Sequence, residues 1–277
     1  MAKILFLRAL NRNRMKISGK FLLASIFLFS SLVAMASVEV VGSLKYINSG
    51  NPGDVIKGSI KIQNNDSTDQ EVKVYQTDLL YNIQAETFYD EPVTHKRSNA
   101  PWIQFSPKSV ILKGKEVRNI EYEITIPKGD TVLGTYWSVL MVEGVDPIDP
   151  NKKGDLNIRT VTRYAIQIVT ELANKGKGSL SFMEPTLVKE GTKLYLAVDL
   201  TNNGEHYISP EISMELYDDA GTSVKVLTAS KKGLYPTTSS RFLLDLEGLP
   251  SNKTYTAMIV AAGQEEDVFG LEYKLFF

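Results

Sequence analysis

Wherever the chain after residue 36 is periodic, its period is two. "SIKIQ" (Ser59–Gln63), "EVKVYQ" (Glu71–Gln76), "IEYEITI" (Ile120–Ile126) and "YAIQIV" (Tyr164–Val169) alternate apolar with polar residues. "KLYLAVDL" (Lys193–Leu200), "EISMELY" (Glu211–Tyr217) and "GLEYKLFF" (Gly270–Phe277) do the same. Such alternation puts one side of an extended segment in a core and the other in water, which predicts half-buried β-strands. Turn formers separate the runs at short intervals: "NPGD" at 51–54, "NNDSTD" at 64–69, "LKGKE" at 112–116, "NNGE" at 202–205 and "DDAG" at 218–221. No amphipathic helix is evident beyond the first residues, so the predicted fold class is all-β, a sandwich or a barrel.

The pattern occurs twice. "KGDTVLGTYWSVLMVEG" (Lys128–Gly144) and "SNKTYTAMIVAAG" (Ser251–Gly263) each run Thr-Tyr, an apolar stretch, then Gly, a few residues after a strand ending in Pro. Upstream, Gly53–Asp78 resembles Gly191–Asp219, with an alternating strand, Asn-Asn, a polar turn and a second alternating strand. Asn65 to Tyr136 spans 71 residues and Asn203 to Tyr255 spans 52, so the first copy carries 19 more, around Phe88–Pro107. A Tyr opening the penultimate strand fits the tyrosine corner of immunoglobulin-like Greek keys, where its hydroxyl bonds upstream backbone. β-Propensity alone also explains a strand that starts Thr-Tyr. The expectation is two tandem immunoglobulin-like β-sandwiches, at 37–172 and 180–277, joined by a Lys/Gly-rich linker at 173–179. The alternating residues up to Phe277 also resemble the closing strand of an outer-membrane barrel.

The first 36 residues change the compartment. Six basic residues and no acid precede "FLLASIFLFSSLVAMA", which ends Ala34-Met35-Ala36. This predicts a cleaved signal peptide at 1–36, and Met15 begins a tidier one by itself. Ser25, Ser30 and Ser31 break the run and disfavour a retained anchor. With no cysteine in the chain, no disulfide supports the exported protein and its cores must suffice. Without those six, 25 of the 31 basic residues face 32 acidic ones, a formal charge of about −7 that argues against nucleic acid as a partner. No later segment approaches the ~20 apolar residues of a transmembrane helix.

Catalytic chemistry finds little support. The only histidines, His95 and His206, lie in polar stretches that read as solvated. No G-x-S-x-G, H-E-x-x-H, P-loop or dinucleotide fingerprint occurs. "DPIDPNKKGD" (Asp146–Asp155) offers oxygen ligands, but two prolines and two lysines suit a stiff loop better than a calcium site. The chain is read as a non-enzyme with no catalytic residue, metal or cofactor. Trp137, mid-strand, reads as core packing in preference to a platform for a sugar.

At this point the residues resemble known families. "WIQFSPKSVILKGKEVRNIEYEITIPKGDTVLGTYWSVLMVEG" (Trp102–Gly144) resembles the amino-terminal domain of the PapD-like periplasmic pilus-assembly chaperones. "LNIRTVTRYAIQIVTEL" (Leu156–Leu172) resembles their strand G, although "DTVLG" replaces the Arg-Glu-Ser found there before strand F. With "SGNPGDVIKGSIKIQNND" (Ser49–Asp66), the same region resembles the first domain of WxL-interacting cell-wall proteins, which implies peptidoglycan as the alternative ligand. The chaperone resemblance implies a periplasmic factor that binds a pilin-like subunit by β-strand addition along strand G. In that strand Tyr164, Ile166 and Ile168 share one face, and Val161, Arg163 and Ala165 the other. The resemblance also implies paired basic residues that anchor a subunit carboxylate, for which Lys45 and Arg163 are the candidates. An ordinary buried strand G explains the same alternation.

Overall fold

In the computed structural model, residues 37–145, 161–264 and 267–276 are described. The predicted signal peptide, the Asp146–Asp155 loop and Leu156–Thr160 of the predicted strand G lie outside them. Among the described residues every element is a strand except a 3₁₀ turn at Ala100–Trp102. The first half contains β1 (Val38–Val41), β2 (Lys45–Gly50), β3 (Val55–Asn64), β4 (Gln70–Tyr81), β5 (Thr87–Asp90), β6 (Ile103–Ser106), β7 (Ser109–Leu112), β8 (Val117–Thr125), β9 (Thr135–Val145) and β10 (Arg163–Leu172). One sheet has the order β1-β3-β8-β6 and the other β2-β10-β9-β4-β5, with β7 on the first half of β4. Between them the alternating residues close a core of Ile60, Ile62, Ile120, Leu140, Ile166 and Ile168.

The second half repeats the plan with β11 (Leu180–Phe182), β12 (Thr186–Glu190), β13 (Lys193–Asn202), β14 (Glu211–Tyr217), β15 (Ser223–Ala229), β16 (Ser239–Asp245), β17 (Thr254–Ala262) and β18 (Val268–Phe276). β13 pairs β11 and β12 on one side and β16 on the other, facing an open sheet β15-β14-β17-β18. Leu196, Val198, Met214, Phe242 and Ile259 fill the space between. The molecule is therefore all-β, two immunoglobulin-like sandwiches in tandem. β18 is the border of an open sheet, so the barrel reading of the last residues is replaced by a final sandwich strand. Burying each large aliphatic side chain contributes about 1.5–3 kcal/mol, and these two cores hold the sandwiches without a disulfide.

The Asn-Asn repeat has one structural job in both copies. Asn64 and Asn202 are fully buried where β3 and β13 end. The Asn64 amide donates to Thr68 O at 2.8 Å and Leu112 O at 3.2 Å, while its Oδ1 accepts from Asp66 N–H at 2.9 Å. The Asn202 amide donates to His206 O and Leu234 O, both at 2.9 Å, and its Oδ1 accepts from Gly204 N–H at 2.8 Å. Each asparagine folds its own turn back and ties it to a second one, so buried carbonyls keep a partner.

The tyrosine corner is realised once. Tyr255 donates its hydroxyl to Pro250 O at 3.0 Å. Tyr136 instead lies against Trp102, ring centroids 4.4 Å apart, with the Arg97 guanidinium 5.3 Å from its ring. The difference comes from the extra residues of the first copy, which bring Arg97 and Trp102 over the place where Tyr136 emerges.

Candidate functional site

The first strand changes sheets. β1 pairs antiparallel with β3, and β2 pairs parallel with β10. The break falls at Gly42-Ser43-Leu44, where Gly42 has φ +117°, a left-handed value that glycine adopts without cost. Ser43 caps the restart: its Oγ accepts from Lys45 N–H at 3.0 Å and donates to Lys45 O at 2.7 Å.

This crossover leaves part of β10 uncovered. β9 accompanies β10 from Arg163 to Glu171, but β2 pairs it only from Gln167 to Leu172. Gln167 N–H donates to Leu44 O at 2.8 Å, so odd-numbered residues aim their backbone groups away from β9. The N–H and C=O of Arg163 and Ala165 therefore face a side with no strand among the described residues. Leu44 and Val161, which adjoin this opening, carry exposed apolar side chains.

The structure separates the strand G candidates. Ile166 and Ile168 are fully buried in the first core, with Tyr164 packed against it. They hold the strand down and are not presented outward. Val161 lies just before the strand and is exposed. Arg163 is exposed, its Nε 2.7 Å from Glu143 Oε2, to which the Tyr75 hydroxyl also donates at 3.0 Å. Lys45 stands opposite Gln167, four residues along β10 from Arg163, about 13 Å at the usual rise. The two candidate cations thus occupy different places.

Lys45 belongs to a cleft between the sandwiches. The outer face of the β10-β9-β4 sheet is apolar, and Leu79, Trp137, Val139, Met141 and Val169 cluster there with Tyr235 of the second sandwich. Trp137 is fully buried and donates its indole N–H to Leu79 O at 2.8 Å. One face of its ring stacks on Tyr235 (4.5 Å, 12°) and the other on His95 (4.3 Å, 22°). Tyr235 donates its hydroxyl to Gln167 Oε1 at 2.7 Å, and the Tyr81 hydroxyl donates to Gly233 O at 2.6 Å and accepts from Tyr235 N–H at 3.0 Å. Burial pushes the Tyr81 phenol up to about 12 and raises that of Tyr235 as well, so both stay neutral donors. Gly233 is required there, since a Cβ would stand 1.8 Å from the Tyr207 hydroxyl.

The cleft encloses about 350 Å³ lined by Lys45, Tyr81, Tyr89, Gln167, Tyr207 and Tyr235 among others. The half-buried Lys45 ammonium lies 3.8 Å from the centre of the Tyr207 ring and 5.1 Å from that of Tyr235. No carboxylate lies within ion-pair distance of it among the described residues. Ring faces attract a cation without neutralising it, so Lys45 remains free to meet an anion.

Two readings of single residues need correction. His95 is not solvated: its side chain is 8% exposed, and Asp78, fully buried, lies 3.7 Å from its Nε2. That separation is too long for a hydrogen bond, and neither ring nitrogen has a partner. Burial lowers the His95 pKa from 6.5, with the Asp78 carboxylate opposing it in part. His206 is also largely covered, its Nε2 2.8 Å from Asp267 Oδ2. Trp137 is core, as expected, and Trp102 packs on Tyr136, so neither is an open platform for a glycan.

Tyr81, Gln167, Tyr207 and Tyr235 were not anticipated from sequence. They lie far apart along the chain, and only the compact "GLYP" at Gly233–Pro236 hints at a special turn. No helix among the described residues is long and apolar enough to cross a membrane.

Solved structures similar to this chain include fimbrial chaperones. The class 5 fimbriae chaperone CfaA is 13% identical over 86% of this chain and 98% of its own, with a TM-score of 0.48. The E. coli chaperone DraB is 12% identical over 86% and 96%, with a TM-score of 0.42. The CsuC–CsuE chaperone–tip adhesion subunit pre-assembly complex of Acinetobacter baumannii is 13% identical over 85% and 98%, with a TM-score of 0.44. No family model matches the sequence, and no curated protein does.

Proposed function

We propose that this chain is a non-catalytic periplasmic, chaperone-like factor that holds a surface-fibre subunit by β-strand addition. In this reading the sandwiches at 37–172 and 180–277, joined by 173–179, present one continuous groove. The observation that carries it is the uncovered edge at Arg163–Ile166, which leads directly to a cavity holding an unpaired cation. A partner strand laid parallel to β10 along that edge ends with its carboxyl group at Lys45, because Lys45 stands opposite Gln167. Backbone bonds to Arg163 and Ala165 supply affinity for any strand, and the side chains on either side supply choice. Val161 and Arg163 meet the partner from outside, while Tyr164, Ile166 and Ile168 anchor the edge from beneath.

The test uses a purified fibre subunit that lacks one strand of its sandwich. Lys45→Met removes the anion anchor, and Ala165→Pro removes an edge N–H that has no partner strand of its own. Each variant is expected to melt close to the unaltered protein. Lys45→Met is expected to weaken capture about ten- to a hundredfold, the scale of one charge-assisted bond. Capture that both changes leave intact would overturn the reading.

A further inference from the structure

A second uncovered edge borders the second sandwich, and its charges are arranged to match a copy of themselves. β18 borders the sheet β15-β14-β17-β18 and pairs only with β17 among the described residues. Gly263 N–H donates to Asp267 O, which sets the parity: odd-numbered residues of β18 turn their backbone groups to β17. Phe269, Leu271, Tyr273 and Leu275 accordingly point into the second core. Even-numbered residues turn both backbone groups outward to the free edge and side chains to the exposed face. These are Val268, Gly270, Glu272, Lys274 and Phe276.

Long bare edges invite pairing with another chain, and their charges decide which registers are allowed. Glu272 has no ion-pair partner among the described residues, and the Lys274 ammonium rests only on Thr256 Oγ1 at 2.6 Å. An antiparallel pairing of two copies about a two-fold axis at Tyr273 sets Glu272 of each against Lys274 of the other. The same register sets Phe276, 64% exposed, opposite Gly270, where added atoms meet nothing closer than 3.8 Å. An aromatic laid over a cross-strand glycine on an edge is a favourable pair. A register centred at Glu272 instead puts like charges face to face and is disfavoured.

We propose that β18 is a self-association edge through which two copies join into one eight-stranded sheet, in the register centred at Tyr273. β18 shares no residue with the β10 edge or the cleft beside it. A single strand pair is a small interface, so the dimer is expected to be weak and reversible, in the range of about tens of micromolar.

Sedimentation velocity of the purified protein from about 5 to 500 µM tests it. The expected result is a concentration-dependent dimer. Glu272→Lys and Lys274→Glu, each on an exposed face, are expected to weaken it about tenfold or more, because each change creates two like-charge pairs. The double exchange Glu272→Lys with Lys274→Glu restores opposite charges in the same register and should recover affinity to within about threefold. Ala165→Pro should leave the dimer unchanged. A monomer at every concentration, a dimer indifferent to the single changes, or a double exchange that fails to recover would each overturn the assignment.

Discussion

His95 shows how a polar residue in a polar stretch becomes an interior one. Its segment runs beside β9, where Trp137 N–H donates to Arg97 O at 3.0 Å, and this drops the imidazole onto the Trp137 ring. Its folded pKa is lowered from 6.5 by burial, so the unfolded chain takes up the proton first as pH falls. The His95 contribution to stability is therefore complete above about pH 6.5 and is lost progressively below it. Thermal melts from pH 7.5 to 5 should show this slope, and His95→Phe, which keeps a stacking ring, should flatten it. The paired asparagines make a second case. Asn64→Ala or Asn202→Ala strands several buried carbonyls, and each is expected to cost about 2–3 kcal/mol in urea denaturation.

Strand β10 carries two demands that its alternation keeps apart. Even-numbered side chains serve the first core, and odd-numbered backbone groups serve the open edge and then β2. Substituting Ile166 or Ile168 by lysine would bury a charge and unfold the sandwich, so such a variant says nothing about partner binding. Ala165→Pro is the sharper probe, since the lost N–H points to the open side. Its expected effect is a weaker complex with little change in melting temperature, compared by titration calorimetry and a thermal melt of the same preparation. The crossover at Gly42 belongs to the same account: had β2 continued along β3, the edge of β10 away from β9 would have been bare over its whole length.

Across the molecule, the stack His95–Trp137–Tyr235 joins an insertion, a central strand and the second sandwich. Gly134 adds to this closeness, since a Cβ there would stand 1.8 Å from Glu205 O. Residues 173–179 are held as well, with Gly134 N–H donating to Asn174 O at 2.8 Å and Glu205 N–H to Lys177 O at 2.9 Å. The two sandwiches should therefore unfold as one cooperative unit. Tyr235→Ala is expected to split the calorimetric transition into two, whereas Trp137→Ala should cost about 3–5 kcal/mol because it also empties the face of the first sandwich. A single unchanged transition in Tyr235→Ala would show that the stack does not couple the halves.

Period-two alternation, turn residues and the repeated Asn-Asn and Thr-Tyr pairs were sufficient for the all-β class and the tandem sandwiches. These features act through neighbours two residues apart or within one turn, so they are written locally. The cleft is different. Lys45, Tyr81, Gln167, Tyr207 and Tyr235 have no common period or spacing, and each alone reads as an ordinary strand or turn residue. Only the packing of one sandwich on the other brings them to a single cavity. Only the sheet-switching first strand decides that β10 is half covered, because hydrogen-bond partners distant in sequence leave no mark on the strand that lacks them.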